Sequence, residues 1–196
     1  MVTSQNGWTA NVPSLIQNYT IGNSRVVRLR KGDAGFLLKT FADWFDKNVE
    51  DVDQGADDWG YAERPIRGDT TTLSNHASGT ALDLNATKHP LGQRGTYTPA
   101  QTAAIRAHLK LFEGTIRWGG DYTQRPDEMH FEINATQAKV AAVAASMRVT
   151  AAKKAAPSTP VTGVTKARAL LVAEGIKAGP VRRAKIRAAL ALLPKW

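Results

Sequence analysis

SNHASGTALDLN, residues 74–85, is the stretch on which the reading of the fold turns. Its first half sets one histidine among small residues, and its second half alternates. In TALDLN, Ala81, Asp83 and Asn85 fall on one side of an extended chain, with Leu82 and Leu84 on the other. The leucines ask for a core behind the strand, which turns Asp83 toward a cleft. An acid facing inward needs a partner. His76 lies seven residues earlier, and Gly79 with its small neighbours lets the backbone between them turn tightly.

A second alternating stretch, EMHFEI at 128–133, puts Met129, Phe131 and Ile133 on one face and Glu128, His130 and Glu132 on the other. Two neighbouring strands of this kind bring Asp83 and His130 to one point, with His76 reaching in from the loop. Three such nitrogen and oxygen ligands, with one position left for water, are what a catalytic zinc site takes. The chain has no cysteine, so a metal here is held by His, Asp or Glu. Asp127, three residues before His130, is the candidate general base. Arg64 or Arg67 is the candidate for steadying an oxyanion or binding a substrate carboxylate. A lone histidine on a strand is more often a satisfied polar group than a ligand, and His89 and His108 are read that way, as loop and helix-surface residues. Glu128 and Glu132 are expected in solvent or supporting the ligands.

The remaining segments predict an α+β fold. Val26, Val27 and Leu29 suggest a short strand. Asp33 is expected to cap a helix through AGFLLKTFADWFDKNVE, whose Phe36, Leu37, Phe41, Trp44, Phe45 and Val49 form one apolar face taken as core. Residues 51–58 read as an acidic loop, and WGYAERPIRG as extended, since Pro65 disfavours helix before it. PAQTAAIRAHLKLFE, 99–113, reads as a helix ended by Gly114. TIRWGGD reads as a strand and turn, and 135–149 as an Ala-rich helix.

Charge divides the chain. Residues 1–150 hold 16 Lys+Arg and 16 Asp+Glu, while residues 151–196 hold 10 Lys+Arg and one acid, Glu174. The expected organisation is a charge-balanced domain over 1–150, a Pro/Ser/Thr-containing linker over 151–163 and a basic helical tail over 164–196. In the tail, Arg182, Arg183, Lys185 and Arg187 are the candidate binding residues. Its single aromatic, Trp196, provides poorly for stacking on single-stranded nucleic acid. The expected partner is therefore an anionic envelope polymer or a membrane surface, and no specific nucleic acid. No apolar run approaches bilayer length. MVTSQNGWTANVPSL has no basic region followed by an apolar one, so no secretory signal is expected.

SNHASGTALD resembles the S-x-H-x-x-G-x-A-x-D pattern of the D-Ala-D-Ala carboxypeptidase (VanY-like) family of zinc metallopeptidases, which includes phage L-alanyl-D-glutamate endopeptidases. Asp127–His130 is similar to that family's second element, D/E-x-x-H. GYAERPIRG and RWGGDY are similar to the forms found in endolysins of phages that infect actinobacteria. Over about residues 5–140 the resemblance holds in order and spacing, and every fixed position of the long pattern is met. It implies a small, mostly antiparallel sheet flanked by helices, with Zn2+ held by His76, Asp83 and His130. It implies Asp127 as catalytic acid/base, with Ser74 and Gly79 in supporting roles. The family's substrate-binding arginine lies upstream of the long pattern. Arg64 and Arg67 both stand there, and Arg67, directly before a glycine, is favoured. Where some members carry a further histidine, this chain has Glu132. The implied activity is hydrolysis of peptide-stem bonds in bacterial peptidoglycan, with the L-Ala–D-Glu bond favoured. A D-Ala-D-Ala carboxypeptidase or dipeptidase and a non-catalytic zinc-containing wall-binding module are the alternatives. The expectation is a monomeric, endolysin-type enzyme held in the host cytoplasm until holin-type release to the wall.

Overall fold

Two antiparallel sheets and three helices organise residues 1–155, the part of the chain described by the computed structural model. β1 (Ile16–Ile21) and β2 (Arg25–Arg30) form a hairpin. In β2 the alternation holds: Val27 and Leu29 are buried and Val26 is exposed. β1 was not expected. Its sequence, IQNYTI, is apolar only at its ends, and those two isoleucines are the residues it buries. The hairpin turn is held by Asp53, whose carboxylate accepts from the backbone amides of Asn23, Ser24 and Arg25.

Helix α1 (Asp33–Asn48) lays Leu37, Leu38, Phe41 and Phe45 into the core, with Phe36, Trp44 and Val49 packed at its margin. Asp33 does not cap it. Gly32 occupies the cap position at φ 81°, and Asp33 opens the first turn, where its carboxylate accepts from Arg148 at 2.7 Å. A carboxylate in a first turn is still favoured by the helix dipole. Helix α2 (Pro99–Leu109) begins at Thr98, which exchanges hydrogen bonds with Gln101 in a capping box. A 3-10 turn, Lys110–Phe112, then tightens its end before Glu113 and Gly114 turn the chain at positive φ.

The second sheet positions the chemistry. β3 (Ala81–Asp83), β5 (His130–Ile133) and β4 (Ile116–Trp118) lie in the order β3-β5-β4, all antiparallel. Directly opposed residues of an antiparallel pair share a face. One row across the sheet is Leu82, Phe131 and Trp118, all buried, and Phe131 sits 4.5 Å ring to ring from Phe41 of α1. Asp83 opposes His130 on the other face, and Glu132 there lies between Ala81 and Arg117. The core is thus on one side and the polar row on the other.

Helix α3 (Gln137–Ala155) buries Val140, Val143 and Ala144. It runs beyond the expected end at residue 149, into the segment read as linker. AAKKA, at 151–155, has strong helix formers. The tail residues Arg182, Arg183, Lys185 and Arg187 lie outside the described residues. No helix among the described residues is long and apolar enough to cross a membrane.

Candidate active site

The loop before β3 turns His76 inward. Asn75–Ser78 forms a 3-10 turn capped by Ser74, whose hydroxyl accepts from the His76 amide at 3.3 Å. Gly79 ends the turn at φ 68° and ties it to the hairpin: its carbonyl accepts from the Arg30 amide at 2.8 Å. A Cβ at Gly79 would stand 2.5 Å from Ile16 Cδ1 and 2.7 Å from the Arg30 nitrogen, so only glycine allows this approach. Ser74 and Gly79 therefore shape the turn that presents His76.

His76, Asp83 and His130 converge. His76 Nε2 is 3.2 Å from Asp83 Oδ1 and 3.3 Å from His130 Nδ1, and His130 Nδ1 is 2.8 Å from Asp83 Oδ1. Adjacent ligands on a tetrahedral zinc with bonds of about 2.0–2.1 Å are roughly 3.3–3.4 Å apart. The observed triangle is slightly tighter and of the same size. All three residues are buried, and together they could hold a metal ion.

The opposite ring nitrogens are already engaged. His76 Nδ1 donates to the Gly60 carbonyl at 2.6 Å, and His130 Nε2 donates to Glu132 Oε2 at 3.2 Å. Each bond fixes the tautomer that turns a lone pair into the triangle. Glu132 also accepts from Arg117, Tyr122 and Asn75. Burial alone would push the Glu132 carboxyl up; the hydrogen bond and charge of His130, with Tyr122 and Arg117, outweigh it and hold Glu132 well below the usual carboxylate range. Burial likewise works against Asp83, yet the two histidines keep it ionised far below its ordinary value. Burial pulls His130 down, but Asp83 and Glu132 raise it to about 10. The triangle is thus a place built for positive charge. A divalent cation fits it, since imidazole and carboxylate donors converge there and metal binding displaces their protons.

Asp127 lies beside the triangle. Its amide donates to the Gly119 carbonyl at 2.9 Å, and a Cβ on Gly119 would be 2.4 Å from the Asp127 carbonyl oxygen. The first glycine of RWGGD is therefore what lets Asp127 approach. Trp118 Nε1 bonds the Glu128 carbonyl at 2.7 Å and fixes the same segment. Asp127 Oδ1 is buried with no hydrogen-bond partner among the described residues. Burial raises the Asp127 carboxyl to about 6, against the lowering pull of His130 and with a further push from Asp83. A carboxyl poised near neutrality, with an unused oxygen in a cleft, suits proton transfer.

The cleft measures about 560 Å³ and takes in the three converging residues and Asp127. Arg64 and Arg67 both line it, so the geometry does not choose between them. Arg117 and Arg125 line it too, and Arg125 donates to the Arg67 carbonyl at 2.7 Å. Arg117 was not expected here, because its place opposite Glu132 depends on a strand register that no local pattern announces. Tyr122 and Gly119 were also missed, because their roles depend on contacts that no local pattern announces.

Three expectations need correction. His89 is not a surface loop residue: it is buried, bonded to Glu50 and Thr96, and stacked on Tyr97 at 3.7 Å. His108 lies flat on Trp44, 3.8 Å ring to ring, and burial lowers its pKa. Glu128 is not in solvent; it is buried and accepts from the Gly95 and Thr96 amides at 2.7 and 2.8 Å.

Two imidazoles and a carboxylate thus meet in the cleft of a small α+β domain, where they could hold a metal ion, with the unpaired Asp127 oxygen beside them. Residues 67–133, about a third of the chain, match the family model of D-alanyl-D-alanine carboxypeptidase. The matched segment holds Arg67, His76, Asp83, Asp127, His130 and Glu132, and leaves out Arg64. No curated protein and no solved structure matches the chain.

Proposed function

We propose that this chain is a zinc metallopeptidase that hydrolyses peptide-stem bonds of bacterial peptidoglycan, in the manner of phage endolysins, with the L-Ala–D-Glu bond as its target. The observation that carries the reading is the buried His76–Asp83–His130 triangle with Asp127 beside it. Held by those three residues, zinc would supply a Lewis acid that polarises the scissile carbonyl and acidifies water. Asp127 takes the proton of the attacking water on its unpaired oxygen and returns it to the leaving amine. Arg64 and Arg67 give the cleft positive charge for a stem carboxylate or the developing oxyanion. Glu132, anchored by Arg117 and Tyr122, keeps the His130 ring aimed.

A second cavity of about 200 Å³ shares Arg64, Arg67, His76 and Asp83 with the main cleft. An endopeptidase would use both spaces, one for each side of a stem cut in its interior. The family description favours a second reading, a carboxypeptidase that removes the terminal D-Ala. In the proposed setting the enzyme passes from the host cytoplasm to the wall, where the basic tail meets anionic envelope polymers.

Digestion of purified peptidoglycan by wild type and Asp127→Ala, read by mass spectrometry, separates the readings. The expected result is new N-terminal D-Glu, absent with the variant. Free D-Ala alone would replace the first reading with the second. No product from zinc-loaded wild type on walls of several hosts would contradict both.

A further inference from the structure

Among the described residues, Trp59 is out of keeping with the other tryptophans. Trp8 and Trp118 are buried and Trp44 packs against the core, but Trp59 is 43 % exposed. Single exposed apolar residues are ordinary; the position of this one is not. Trp59 and Asp83 exchange both backbone hydrogen bonds, Trp59 N to Asp83 O at 3.0 Å and Asp83 N to Trp59 O at 2.8 Å. That is the hydrogen-bonded pair of an antiparallel ladder, and its two side chains stand on the same face. The indole is therefore held on the cleft face, one strand spacing from the Asp83 carboxylate. It lines the second cavity together with Gly60, Ala62, Arg64 and Arg67.

The lining states what fits. Gly60 seats this segment against β2, since a Cβ there would be 2.1 Å from the Arg28 carbonyl oxygen, and Ala62 adds little bulk to the cavity beside the indole. Two guanidiniums border it, each rich in hydrogen-bond donors. An aliphatic side chain would gain from the ring but make no use of these donors. A pyranose ring satisfies both: its axial C–H bonds lie against the negative face of the indole, and its hydroxyl and acetamido oxygens accept from arginine.

We propose that Trp59, Arg64 and Arg67 form a saccharide subsite that takes the glycan sugar from which the peptide stem hangs. The inference rests on the peptidoglycan reading above and deepens it. A sugar seated next to Asp83 puts the first peptide bonds of the stem at the reacting centre and the D-Ala end out of reach.

The test uses the full chain and two substrates, a muramyl peptide and the same stem peptide N-acetylated in place of the sugar. Trp59→Ala is expected to raise KM for the muramyl peptide roughly 3- to 10-fold, with kcat unchanged and the sugar-free peptide unaffected. Trp59→Phe is expected to recover most of the loss. Equal effects on both substrates, or none on either, would overturn the subsite. A second arm does not need turnover. The disaccharide of the glycan is titrated onto Asp127→Asn protein, and the Trp59 indole N–H is followed by NMR, assigned by its absence in Trp59→Phe. A saturable shift supports the subsite even if no stem is cleaved, in which case only the peptidase reading fails. No shift, with stems cleaved by wild type, removes the subsite and leaves the peptidase.

Discussion

Glu132 shows what a single side chain contributes here. It receives Arg117, Tyr122 and Asn75 and, through His130 Nε2, decides which nitrogen of that ring faces Asp83. Glu132→Gln keeps the shape but removes the charge that holds the ring. Zinc affinity is expected to fall roughly 10- to 100-fold, measured by competition with a chromogenic chelator. Asp127→Asn tests the neighbouring group. Stem hydrolysis is expected to lose about 10²- to 10⁴-fold in kcat with zinc content unchanged, by kinetics beside metal analysis. At this scale the sequence is uneven. His76, Asp83 and His130 are legible because alternation and a glycine-bearing loop put them on one face. Glu132 shares the alternation of His130, but its burial depends on Asn75 and Arg117, 57 and 15 residues away, and nothing local reveals them.

Elements carry the site through close approach. β4 ends at Trp118, and Gly119 then lets the Asp127 segment pass within van der Waals distance. Gly119→Ala is expected to displace Asp127 and cost about 10²-fold in kcat while the protein still binds zinc. Phe131, in the middle of β5, joins the sheet to α1 through Phe41 and Phe45. Phe131→Ala is expected to cost about 3–5 kcal/mol in chemical denaturation. Glu128 ties the 95–97 loop to the start of β5. Burial would raise its pKa, but the Thr96 and Gly95 bonds lower it below the ordinary value. A carboxylate depressed in the folded state stabilises fully above its unfolded pKa, about 4.3, and loses that contribution as pH falls below it. The Tm of wild type is therefore expected to drop between pH 5 and 3, and that of Glu128→Gln to drop less. Helix α1 and strands β2 and β5 were readable from apolar spacing. β1 was not, because its four inner residues are polar or half-buried. The end of α3 was missed because small residues signal helix and linker alike.

For the whole molecule, the chain's excess charge is what the described domain does not explain. Replacing Arg182, Arg183, Lys185 and Arg187 by alanine is expected to weaken sedimentation with isolated walls and flatten its salt dependence, while soluble stem peptide is still hydrolysed. The balanced charge of residues 1–150 and the basic tail could be read from composition alone; the cleft could not, since its walls come from segments as distant as Arg64 and Arg125. The central claim is that one metal at His76, Asp83 and His130 runs the chemistry. The most direct measurement is a zinc titration of chelator-stripped full chain, following bound metal and stem-peptide hydrolysis together. Activity is expected to rise in proportion to zinc and to level off at one equivalent per chain, with neither binding nor activity in His130→Ala. Activity that survives stripping, or zinc that binds His130→Ala as tightly as wild type, would contradict the account.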